Sequence, residues 1–209
     1  MPTRLLKKGD RLIKPACSWS EGVEFPEDPV LRHGYIWNGY MRAASELVVL
    51  TRSDRLVQNI LVYPIMFNYR HALELAMKWT IDQYGWLAGV SLTSDNRKQS
   101  FWSVQKLCSR ADNRDYNLLN LWSLCKEVIT CAGSEGDDEN LQVVGQIVKD
   151  FHDIDKSGQA FRYAATKTGK PLQLRPSDVD LENVRVVMEG VDNFFSGVDG
   201  LLSKLTQAG

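Results

Sequence analysis

Hydrophobic positions recur along most of the chain at three- and four-residue steps, the spacing that lines one face of an α-helix. From His33 to about Arg52 the repeat runs through Ile36, Tyr40, Ala44, Leu47 and Val48. Ser53-Asp54 supplies a cap for a second helix, because a short polar side chain can accept the unpaired N–H groups of a first turn. Its apolar stripe is Leu56, Ile60, Tyr63, Phe67, His71, Leu75 and Trp79, with a stop at Gly85. Pro64 falls inside this stripe. It removes one backbone donor and crowds the preceding turn, which predicts a kink or short break near Val62. After a loop over 85–99, a short helix is expected from about Ser100 to Arg110. Another runs from Tyr116 to Thr130, with Leu118, Leu119, Trp122, Cys125 and Ile129 on one side. Asp137 or Asp138 caps a helix from about Glu139 to Phe151, through Leu141, Val144 and Ile147/Val148. Ser177 or Asp178 caps the last, which reaches about Leu205 with Val184, Val187, Val191, Phe194/Phe195, Val198 and Leu201/Leu202 inward.

Two stretches lack this rhythm. Residues 1–31 are punctuated by Pro15, Gly22, Pro26 and Pro29, and Trp19 and Phe25 are the apolar anchors of an irregular strap lying on the body. Residues 153–177 contain Gly158, Gly169, Pro171 and Pro176, which exclude a long helix. Phe161-Arg162-Tyr163 and Leu172-Gln173-Leu174 flank a turn at Lys167–Lys170, a pattern for a short β-hairpin. The expected architecture is an all-α bundle of about five to six helices over residues 32–209, with an irregular or short β-hairpin insertion before the last helix.

Composition narrows the class without choosing a function. The chain has 209 residues, 44% hydrophobic and 24% charged, with 25 Lys+Arg against 26 Asp+Glu. That is globular rather than disordered, and a net charge of −1 gives no global footprint for nucleic acid. A basic strip from Arg97-Lys98 to Lys106 and Arg110 is flanked by Asp95 and Asp112 and reads as a solvated face. No run approaches the roughly 18 apolar residues of a membrane span, and the start MPTRLLKKGDRLIK has no apolar signal-peptide core. A cytoplasmic location and no membrane partner are expected. Cys17, Cys108, Cys125 and Cys131 show no C-x-x-C pair and read as reduced, mostly buried small residues. The six tryptophans are dispersed, as core and interface packing requires, rather than gathered into a base-stacking platform.

Candidate chemistry concentrates in two places. In Tyr69-Arg70-His71-Ala72-Leu73-Glu74-Leu75-Ala76-Met77-Lys78, Arg70, Glu74 and Lys78 are four residues apart and His71 is three before Glu74, so they occupy adjoining strips of one helix face. On a surface helix this would be a solvated ion-pair ladder. Beside Phe67, Leu75 and Trp79, however, such charges need partners, since an unpaired buried charge costs several kcal/mol. The second place is Phe151-His152-Asp153-Ile154-Asp155-Lys156-Ser157 with Phe161-Arg162-Tyr163, where acids, a histidine and an arginine share irregular backbone, the usual seat of binding residues. The plain alternative is that Asp153 or Asp155 ends a helix and Arg162 pairs with Glu74.

Together, Tyr63-Pro64, Arg70-His71-Ala72-Leu73-Glu74-Leu75 with Lys78, and Asp155-Lys156-Ser157-Gly158-Gln159-Ala160-Phe161-Arg162-Tyr163 resemble bacterial proteins of the HEPN superfamily over about residues 33–205. The resemblance implies a helical bundle, often a homodimer, in bacterial defence, toxin–antitoxin or abortive-infection settings. A protein partner from the same operon, RNA or a nucleotide would be the ligand. Many members are metal-independent ribonucleases carrying an Arg, then four to six residues, then a His. Here the required positions are Pro26, Glu27 and Asp28 before His33, Pro64, Ile65 and Met66 before His71, and Gly145, Gln146 and Ile147 before His152. None is Arg, so the expectation is a catalytically degenerate protein with ligand-binding residues Arg70, His71, Glu74, Lys78, Asp155, Arg162 and Tyr163, and with neither cofactor nor metal.

The alternative is a ribonuclease with a rearranged site, in which Arg70, His71 or His152 is catalytic. Metal-free cleavage needs a base or acid near neutrality and a cation for the crowded phosphate; His71 or His152 could be the first, and Arg70 or Arg162 the second. His152-Asp153 also spells the central dipeptide of the HD phosphohydrolases, with His71 and Asp192 as remaining ligands, but the intervals differ from that family. Phosphate-binding loops, G-x-S-x-G and H-E-x-x-H are absent.

Overall fold

A computed structural model of the chain describes residues 25–88, 118–132 and 138–207, together with residues 8, 12 and 23. Trp19, Cys17, Cys108 and the helix expected over 100–110 lie outside these. Among the described residues are five α-helices: α1 (Pro29–Thr51), α2 (Arg55–Tyr84), α3 (Leu118–Cys131), α4 (Glu139–Ile154) and α5 (Leu181–Gln207), with one 3-10 turn at Gly85–Ala88.

α1 begins earlier than the hydrophobic repeat suggests. Asp28 accepts a hydrogen bond from Leu31 N at 2.7 Å, and Pro29 fills the first turn, where its missing donor is harmless. The strap expected over 1–31 therefore already contains helix. Phe25 is 88% exposed and anchors nothing; the Arg32 side chain instead donates to Pro26 O at 2.8 Å. The buried stripe of α1 is His33, Trp37, Met41, Ala44, Val48 and Thr51, while Ile36 turns outward.

α2 is the axis of the bundle. It packs on α1, α3 and α5, and from Ile65 to Tyr84 it is buried almost all round. Its expected stripe is rotated at the N-terminal end, where Leu56, Ile60 and Tyr63 are exposed. Pro64 does not interrupt the helix, which runs unbroken from Arg55 to Tyr84. The carbonyl it leaves without a donor belongs to exposed Ile60, where water can take the bond. Asp54 caps the start, accepting from Leu56 N and Val57 N.

The other helices close around this axis. Gly145 lets α4 approach α3, since a Cβ there would lie 2.8 Å from Trp122 Nε1. Asp199 on α5 accepts hydrogen bonds from both Trp79 Nε1 and Tyr84 OH of α2, at 2.8 and 2.7 Å. The buried stripe of α5 is Leu181, Met188, Val191, Phe195, Val198 and Leu202. Its cap is Asp180, which accepts from Glu182 N and Asn183 N, not Ser177 or Asp178. Cys125 is buried, but Cys131 is exposed, against the expectation of a core residue.

The insertion between α4 and α5 is not a β-hairpin. One isolated bridge joins Ala165 and Pro171. Phe161–Tyr163 is curled rather than extended: Arg162 N and Tyr163 N both donate to Gln159 O, and Phe161 is buried. The bridge is flanked by Leu172 N donating to Ala164 O and Thr166 N donating to Lys170 O, and the curl at Phe161–Tyr163 ends the pairing there. No helix among the described residues is long and apolar enough to cross a membrane.

Candidate functional site

The sequence repeat that put Arg70, Glu74 and Lys78 on one face of α2 places that face inside the protein. Arg70, Glu74 and Lys78 are 5%, 7% and 8% exposed, and Asp155, at the end of α4, is 3% exposed. Glu74 stands at the centre. Lys78 Nζ donates to its Oε1, and Arg70 Nη1 reaches Oε2 at 3.4 Å. Arg70 Nε lies 4.0 Å from Asp155 Oδ2, an ion pair just beyond hydrogen-bond length. Burial alone would raise the Glu74 carboxyl. His71, then the charges of Lys78 and Arg70, outweigh it and hold the group down at about 2. The two cations and two carboxylates thus form one internal network.

Asp155 ties the insertion to it. Its Oδ1 accepts from Gln159 N and from the Ser157 hydroxyl, which shapes a tight turn through Gly158. Gly158 has φ +68°, and a Cβ there would sit 3.1 Å from Arg70 Nη2 and 3.3 Å from Cζ. Only glycine offers both that backbone and that clearance. On the far side, Arg162 donates to Gly158 O at 2.9 Å. Gly158 is therefore held between two guanidinium groups, one buried and one exposed. Arg162 does not pair with Glu74; it lies over the rings of Phe67 and Tyr163, with its Cζ 5.6 and 5.5 Å from their centroids.

His71 is at the margin, with 29% of its side chain exposed and its Nδ1 3.9 Å from Glu74. That is an electrostatic contact rather than a hydrogen bond. Its ring stacks on Phe67 at 5.7 Å and meets the edge of Tyr40 at 4.7 Å. His152 is half-buried on α4 with Nδ1 unpartnered, and burial lowers its pKa. Asp153 points outward to Lys149 at 3.1 Å, so the His-Asp dipeptide is split between two environments. Among the described residues, no three His, Cys, Asp or Glu side chains are grouped to hold a metal.

A cleft of about 940 Å³ opens beside the network, between the ends of α1 and α2 and the insertion. Val62, Met66, Phe161, Leu172 and Leu174 are among its apolar lining, and Arg55, Tyr63, Arg162 and Tyr163 are among its polar and aromatic lining. Arg162 and Tyr163 were foreseen as site residues; Arg55, Tyr63 and Gly158 were not assigned this role. Gly158 had a signal in the sequence, a glycine directly after a helix-ending Asp-x-Ser. Arg55 and Tyr63 had none, because they gain a site only when the insertion folds across the start of α2. No family model, curated protein or solved structure matches the chain.

Proposed function

We propose that this chain is a HEPN-like helical protein without nuclease activity, acting by binding a nucleotide, RNA or a protein partner in a bacterial defence or stress system. The observation that carries the reading is the internal pairing of Arg70, Glu74, Lys78 and Asp155. These charges pair with one another beside Gly158, and the Arg70 Nε and Nη2 and Asp155 Oδ2 atoms that make no hydrogen bond are themselves buried. They work as a fastener, and the insertion they fasten forms one wall of the neighbouring cleft. Binding then belongs to the exposed part of the insertion, where Arg162 and Tyr163 stand. Association as a homodimer goes with this reading, and exposed apolar side chains on α1, including Val30, Leu31 and Tyr35, offer it a surface; light scattering measures it.

The second reading, a rearranged metal-independent ribonuclease, draws on one observation: His71 and Arg162 contact the same Phe67 ring. Incubation of the purified protein with structured and unstructured RNA separates the two. Intact RNA is expected. Cleavage that disappears in His71→Ala would replace the first reading with the second.

A further inference from the structure

We infer that α1 and α2 together carry the face on which two copies of this chain pair, an inference that rests on the association proposed above and gives it a surface. Each helix has one apolar row more than the fold uses. The row of α1 packed inside is His33, Trp37, Met41, Ala44, Val48 and Thr51. Beside it runs a second, Ile36, Tyr40, Ala43, Leu47 and Leu50, in steps of four, three, four and three. α2 repeats the pattern in Leu56, Ile60, Tyr63 and Phe67, in steps of four, three and four. This is the heptad spacing by which one helix seats its side chains between those of another. Tyr40 meets Phe67 edge-on at 6.3 Å, so the two rows adjoin and make one face. That face is open: Leu50 and Leu56 are each 69% exposed, Ile60 62%, Tyr63 47% and Ile36 42%.

The area matches what a dimer needs. With on the order of 100 Å² open on each, these five side chains present roughly 500 Å² of apolar surface, and a standard interface takes about 800 Å² from each partner, a little over half of it apolar. One face therefore supplies the apolar share of one side of an interface. Four helices, two from each copy, would close both rows as a bundle closes its core.

The distribution of charge fits a second copy. A two-fold axis sets a surface against itself, so a charge near the axis meets a like charge. This face avoids that. No charged residue stands between Arg55 and Arg70 of α2, fourteen residues in which the chain's 24% average would place about three. The polar residues of that stretch that reach solvent in full or in part include the amides Gln58, Asn59 and Asn68. The nearest cations stand at the margin, Arg55 at the first residue of α2 and Arg162 over the Phe67 ring. Between Arg42 and Arg52, α1 has Glu46 alone. Arg42 and Glu46 are exposed, opposite in sign and one turn apart. A copy of α1 running antiparallel sets each against its opposite, so this edge is complementary to itself.

The test is the mass of the full chain by light scattering after size exclusion, over a range of concentrations. A dimer is expected. Leu56→Glu combined with Ile60→Glu should raise its dissociation constant by about tenfold or more. Ala43→Arg, at an exposed position of α1, repeats the test from the other helix. Circular dichroism should show unchanged helix content in both, because these side chains are open in the single chain. Val186→Glu, at an exposed position of α5, should leave the dimer as it is. A chain that is monomeric at every concentration, or a dimer indifferent to the α1 and α2 variants, would overturn the inference and leave the binding-protein reading standing. So would a monomer whose denaturation midpoint falls in the α2 variant, since the face would then be covered within one chain. RNA cleavage would strike the reading without nuclease activity and leave this face untouched.

Discussion

Two ion-pair clusters of this protein use the same chemistry in opposite surroundings. Arg52 meets Glu182 in a two-point contact, Nη2 to Oε1 at 2.9 Å and Nε to Oε2 at 3.1 Å. Arg70 meets Glu74 at a longer 3.4 Å. By geometry alone the first is better. Yet the Arg52 and Glu182 side chains are 54% and 45% exposed, against 6% and 9% for Arg70 and Glu74. Water and salt screen the first pair whether or not it forms. The second has lost its water, so each member depends on the others. Position, not bond length, decides which cluster the fold relies on.

The largest expected difference comes from removing the centre of the buried cluster. Glu74→Ala leaves Arg70 and Lys78 buried without a carboxylate between them and should cost about 3–5 kcal/mol of stability, read from urea denaturation. The matching change at the surface, Glu182→Gln, should leave the midpoint almost where it was. Equal losses would erase the contrast drawn here.

Acid should sharpen the same contrast. The folded Glu74 carboxyl, held at about 2, lies below its ordinary value of 4.5. Its contribution is therefore complete above about pH 4.5 and drains away as pH falls toward 2. An earlier step belongs to His33, whose pKa is lowered by burial. The unfolded chain takes up that proton first, so stability begins to fall as pH drops below 6.5. Stability measured against pH should decline in these two stages, and Glu74→Gln should flatten the lower one.

A smaller effect is expected at the joint. Gly158→Ala strains a positive-φ backbone and pushes a methyl toward the Arg70 guanidinium. The backbone term alone is about 1–2 kcal/mol. Hydrogen exchange should show faster exchange in residues 156–164 while the core of α2 stays protected. Smallest of all is salt: raising ionic strength should change the stability of the parent chain little, and should reduce whatever effect Arg52→Ala has.

The stripes of α4 and α5, the cap at Asp138 and the stop of α2 before Gly85 can be read from the chain, because they depend on neighbours three or four residues away, whereas the stripe of α1 lies one position on from the expected Ile36 and Tyr40, at Trp37 and Met41. The burial of the Arg70, Glu74 and Lys78 face was also within reach, since Ala72, Leu73, Ala76 and Met77 leave the helix with no polar side to turn outward. The hairpin was misjudged because period-2 patterning over three residues is too short to outweigh the pull of the core on Phe161. The stripe of α2 was misplaced at Leu56, Ile60 and Tyr63 because periodicity reports that a face is apolar, not that anything lies against it.

By itself, then, the sequence determined the helices, most of their ends and the company that Arg70, Glu74 and Lys78 keep, all local consequences of spacing along one rod. Tertiary structure alone decided that Asp155 would answer Arg70, that Gly158 would be held between two guanidinium groups, and that Arg55, Tyr63, Leu172 and Leu174 would share one cleft. Those residues are up to more than a hundred positions apart. Only the burial of α2 and the turn of the insertion across it bring them together.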